Sequence, residues 1–105
     1  MKYIREMIEY NIRQSNHTTA CGQVEKYLLE RQETRAEGMK YIREMIEYNI
    51  RLSNHTTACG QIEKYLLVGQ ETRAEGMKYI RKMIEHNERY GNSSLAAQLR
   101  KKYGL

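Results

Sequence analysis

The chain contains no proline, no phenylalanine and no tryptophan. A core must therefore come from its nine tyrosines, six methionines and the leucine and isoleucine set. Cysteine is scarce. Cys21 and Cys59 stand at equivalent places in two sequence copies and do not form a disulfide framework. They read as thiols of a reducing compartment, so a cytoplasmic location is expected. Long apolar runs are missing too: none approaches the ~20 residues that cross a bilayer, which excludes a membrane partner. The opening MKYIREMIEY has no apolar stretch of the kind a signal peptide needs.

What is present is repetition. Residues 1–38 and 39–76 differ only at Gln14/Leu52, Val24/Ile62, Glu30/Val68 and Arg31/Gly69. A partial third copy, 77–105, starts as MKYIRKMIEHNERYGN and then departs into SSLAAQLRKKYGL. Recurrence at this period points to stacked supersecondary units that bury a shared core. The expected fold is all-α: tandem αα-hairpins of period 38, forming a short solenoid or helical bundle within one domain, 1–105. The last copy ends in a capping helix.

Each copy carries two helical patterns. The first, helix A, runs from about Thr19 to Leu29, with Ala20, Val24, Tyr27 and Leu28 apolar. The second, helix B, runs from about Arg35 to Arg51, with Met39, Ile42, Met45, Ile46 and Ile50 on one face. A second stripe of Tyr41, Met45, Tyr48 and Leu52 predicts burial of B on both sides. Ser15-Asn16-His17-Thr18-Thr19 and its copy from Ser53 suit a helix stop followed by an N-cap. Between A and B, Thr34 with Glu37, and Thr72 with Glu75, have capping-box spacing. Gly69 falls where a helix-ending C′ glycine would sit. The rival reading is one unbroken helix from Thr19 to Asn54, because Arg, Gln and Glu are good helix formers. Leu52 and Val68, apolar only in the inner copy, are expected to be buried. The polar Gln14 and Glu88 are expected to cap the ends. Gly22 and Gly38 cost helix stability unless helices approach closely there.

No pattern marks a catalytic site, and neither catalytic, cofactor nor metal residues are assigned. His17 with Cys21, and His55 with Cys59, have i, i+4 spacing that suits zinc if two pairs converge; there is no CxxC, and a buried Cys beside a loop His is the simpler reading. Glu6, Glu9, Glu44 and Glu47 alternate with Arg5, Arg13, Lys40, Arg43 and Arg51 as an exposed ion-pair lattice. Met7, Met39, Met45, Met77 and Met83 could form an adaptable binding surface, but are expected to fill core. The net charge of +5 reads as a solvated surface. Only Arg100-Lys101-Lys102 forms a basic run without nearby carboxylates.

The stretch Thr57-Ala58-Cys59-Gly60-Gln61-Ile62, with Gly69, Ala74 and Met83, resembles the tetratricopeptide and pentatricopeptide class of αα-hairpin repeats. The likeness recurs at Thr19, Val24, Ala36 and Met45. The period is 38 rather than the 34 to 36 of that class, and the aromatic and Leu-Gly signature of tetratricopeptide repeats is missing. The pentatricopeptide base-reading position, three residues after the helix A Thr, falls on Gly22 or Gly60. Near-identity of the copies resembles an engineered amplification of one hairpin, or a very recent duplication. The leading expectation is a non-catalytic scaffold or interaction module. Expected partners are a protein or peptide, or a second copy through exposed stripes at Tyr3/Tyr10 or Tyr79/Tyr90. Nucleic acid should bind weakly and without specificity. The alternative is a helical-repeat RNA-binding protein.

Overall fold

A computed structural model describes residues 2–105. Six helices and no strand occur among them. They are α1 (Lys2–Arg13), α2 (His17–Val24), α3 (Gln32–Arg51), α4 (His55–Ile62), α5 (Gln70–Arg89) and α6 (Ser93–Tyr103). α2 and α4 each run on into a widened π turn, Glu25–Leu29 and Glu63–Leu67. The chain is therefore broken between Leu29 and Gln32, and again between Leu67 and Gln70, rather than helical throughout. No helix is long and apolar enough to cross a membrane.

Two compact units result, Met1–Glu47 and Tyr48–Leu105, with the division inside α3. The first unit buries Ile8 of α1, Ala20, Val24 and Leu28 of the second hairpin arm, and Tyr41, Ile42, Met45 and Ile46 of α3. In the second unit the corresponding set is Ala58, Ile62, Leu66, Tyr79, Ile80, Met83 and Ile84, completed by Ala96 and Leu99 of α6. Both follow the 3.6-residue periodicity that places i, i+3 and i+4 on one face.

The breaks are held by a threonine, though not as a capping box. Thr34 Oγ1 donates to the Leu28 carbonyl at 2.7 Å, and Thr72 Oγ1 to the Leu66 carbonyl at 2.6 Å. Because the helices start at Gln32 and Gln70, both threonines lie in the first turn, past the N-cap. Their hydroxyls satisfy carbonyls at the end of the preceding π turn, where the regular ladder runs out. Gly69 does follow the C-cap Val68, but it is extended at φ −101° rather than left-handed, and it serves as the N-cap of α5. Thr34→Val and Thr72→Val keep the shape, lose the hydroxyl, and should each lower unfolding stability by about 1 kcal/mol in denaturant titrations.

The hairpin turns use a different device from the expected side-chain N-cap. Ser15 and Ser53 adopt φ +61°, the left-handed conformation that disfavours a side chain. Asn16 N–H then bonds the Asn11 carbonyl at 2.8 Å, and Ser15 N–H the Ile12 carbonyl at 3.0 Å. This is a Schellman closure with serine at C′. In the third copy the position is Gly91, at φ +82°. Asn16 and Asn54 do sit at N-caps, but neither side chain caps the helix. Each turns back instead, at 3.4 Å and 3.2 Å, onto Asn11 and Asn49.

The glycines divide. A Cβ on Gly38 would lie 2.6 Å from Leu29 Cδ2 and 3.0 Å from Leu28 Cβ, and Gly76 repeats this against Leu67 and Leu66. Gly22 and Gly60 have open space instead, so the close approach expected at Gly22 is absent. Gly60→Ala should raise stability by ~0.5–1 kcal/mol through helix propensity and reduced unfolded-state freedom. Gly76→Ala should lower it, because Leu66 Cβ is anchored to backbone and cannot swing away. Opposite shifts in thermal midpoint are the expected result.

The inner-copy substitutions do not track burial. Leu52 is 54 % exposed and Val68 is also exposed, as is Gln14. Leu52 lies just past the end of α3, in the turn that closes the helix, and faces solvent. Leu52→Gln is expected to leave stability within about 0.5 kcal/mol.

Candidate interaction surface and the histidine groove

α1 has the same sequence as the last twelve residues of α3, yet their surfaces differ. Tyr3 is 78 % exposed, whereas Tyr41 and Tyr79 are 6 % and 9 % exposed. Met7 is 42 % exposed, whereas Met45 and Met83 are fully buried. In the first unit the cover over the α3 stripe is visible. Tyr41 Oη donates to Glu9 of α1 at 3.0 Å, and Met45 Sδ lies 3.8 Å from Cys21 Sγ of α2. Burial and the Glu9 carboxylate push the Tyr41 hydroxyl up to about 12. Arg5 donates side-on to both carboxylate oxygens of Glu37, from Nε and, at 3.0 Å, from Nη2, and this raises the Arg5 pKa further. On α1 the equivalent stripe is uncovered. Tyr3, Met7 and Tyr10 instead edge an open groove of about 750 Å³, with Glu6, Asn11, Arg13 and Gln23.

Polar residues inside the apolar stripes tie each hairpin together. Asn49 Nδ2 donates to Gln61 Oε1 at 3.0 Å in a buried bond, and Asn11 Nδ2 donates to Gln23 Oε1 at 3.1 Å in a part-buried one. These pairs were not anticipated. The signal was an Asn at helical spacing from Met and Ile, in an otherwise apolar face. In the third copy Leu99 replaces the glutamine, and Asn87 Nδ2 turns to the Met83 carbonyl at 2.8 Å.

The second unit has a groove of about 400 Å³ lined by His55, Cys59 and Glu63 on one face of α4 and its π turn, opposite Leu99 and Lys102 of α6. Tyr103 Oη donates to Glu63 at 2.5 Å, and Lys102 Nζ lies 3.1 Å from the same carboxylate oxygen. These two partners hold Glu63 below the usual carboxylate range, while burial raises Tyr103 and the Cys59 thiol. A raised thiol pKa leaves little thiolate, so Cys59 is a poor nucleophile. Both cysteines are free thiols. Among the described residues no group of three or more His, Cys, Asp or Glu is arranged to hold a metal. His17 is buried, while His55 stands with its ring 5.9 Å from that of His86. His86 in turn shares a 3.0 Å hydrogen bond with Ser53.

Burial lowers the pKa of both His17 and His55, and His86 pushes His55 the same way. A depressed folded-state value means the unfolded chain binds the proton more readily. The associated stability is present above the ordinary value of 6.5 and is lost as pH falls below it. The thermal midpoint should therefore drop between pH 7 and pH 5, and His55→Gln should flatten that drop.

The basic tail is less bare than its sequence suggests. Arg100 pairs with Glu88 at 3.1 Å and Lys102 with Glu63, so two of its three cations have a carboxylate partner. No protein-family model, curated protein or solved structure matches the chain. The likeness to αα-hairpin repeats therefore rests on six helices packed in neighbouring contacts.

Proposed function

We propose that the chain is a non-catalytic helical scaffold or interaction module, built as a stack of tandem αα-hairpins from one amplified hairpin. The observation that carries this reading is the bare α1 stripe. Tyr3, Met7 and Tyr10 are large, contiguous and exposed, whereas Tyr41 and Met45 at the equivalent places are buried against other helices. Tyr and Met are residues that interfaces enrich. In the second-unit groove Glu63 is engaged by Tyr103 and Lys102, which lower its pKa, and burial raises that of the Cys59 thiol. The uncovered stripe favours a protein partner, a helix or a second copy of the chain.

The same reading separates the module from a helical-repeat RNA binder. Gly22 and Gly60, at the base-reading place of the pentatricopeptide pattern, present no side chain. With Arg100 and Lys102 paired to carboxylates, no continuous path of unpaired cations runs along the tail. A mixed-sequence RNA titrated at physiological salt should bind no tighter than the ~10⁻⁴–10⁻⁶ M of non-specific contacts, and without sequence preference. Submicromolar binding would contradict the scaffold reading and establish the RNA-binding alternative.

A further inference from the structure

We infer that the α1 stripe is the contact of a two-fold symmetric homodimer, in which α1 of one copy packs antiparallel on α1 of a second; this rests on the interaction-module reading above. The chain itself shows that these residues suit burial against a helix, because Tyr41 and Met45 are buried among α1 and α2 side chains. What α1 lacks is a helix on that face, and a second α1 supplies one.

The pattern of charge decides the geometry. Glu6 and Arg13 lie two turns apart on one flank of the Tyr3–Met7–Tyr10 stripe. A two-fold axis normal to an antiparallel pair brings like flanks together. Glu6 then lies beside Arg13 and Tyr10 of the second copy, and Arg13 beside its Glu6. The tyrosine–carboxylate contact so formed repeats the bond that Tyr41 makes with Glu9. Head-to-tail stacking is disfavoured at the other end of the chain. There Glu88 replaces the buried Ile50, Arg100 replaces the buried Val24 and Ile62, and the two charges pair in solvent at 3.1 Å. Covering that end would desolvate the pair.

Sedimentation velocity across a concentration series tests this on the full chain. The expected result is a monomer–dimer equilibrium that stops at the dimer. Glu6→Arg should weaken dimerisation roughly tenfold or more, by setting like charges face to face. The double variant Glu6→Arg with Arg13→Glu should recover it to within about threefold of the starting chain, since the swap restores both pairs at once. Met7→Lys should abolish dimerisation with unchanged circular dichroism. A monomer at every concentration would overturn the inference, as would a dimer indifferent to Glu6→Arg, or a swap that fails to rescue. Assembly that keeps growing with concentration would show head-to-tail contact and overturn it equally. The RNA titration is read independently, so the scaffold reading stands or falls apart from the dimer.

Discussion

The structure depends on how closely the first turns of α3 and α5 approach the π turns before them. Gly38 lies against Leu28 and Leu29, and Gly76 against Leu66 and Leu67, with no room for a methyl group. Two residues of extended or bent chain must reverse direction there, and the helix that follows must begin at once. The threonine hydroxyls at positions 34 and 72 make that start compatible with burial, because they satisfy carbonyls the π turn leaves over. The widened turn also lets two consecutive leucines face the same glycine.

From this joint the rest follows in steps. Holding α2 and α3 close brings Cys21 onto Met45, and Arg5 of α1 reaches Glu37. The Asn–Gln bonds lock each hairpin from inside, at the cost of a polar pair in the core that must stay satisfied. One sequence, placed twice, thus acquires two environments: covered on α3, open on α1. The functional reading comes from that difference in surroundings, since the residue types are the same.

Much of the helix content was legible because Ile42, Met45 and Ile46, and Ala20, Val24 and Leu28, recur at helical spacing and are all buried. The unbroken-helix alternative failed at Glu30 and Arg31, where a polar turn had no face to bury. The joints were harder. Thr34 and Glu37 have capping-box spacing, but a carbonyl six residues back offers Thr34 a closer partner, which no local pattern reveals. Serine is an uncommon C′ residue, so Ser15 and Ser53 gave no sign of a left-handed turn, although Gly91 at the third copy did. Leu52 and Val68 were misread because an apolar residue in an inner copy need not lie on an inner surface. The groove residues His55, Cys59 and Glu63 show helical spacing in the sequence, but their meeting with Lys102 and Tyr103 depends on a tertiary contact of α6.

The central claim is that the Tyr3–Met7–Tyr10 face of α1 is unfinished and is completed by a neighbouring helix. It is tested most directly by adding one more copy of residues 1–38 ahead of the chain and measuring unfolding free energy in denaturant. Covering the face should raise both the free energy and its denaturant dependence, since more surface is then exposed on unfolding. An added copy that unfolds separately, leaving the original transition unchanged, would contradict the account.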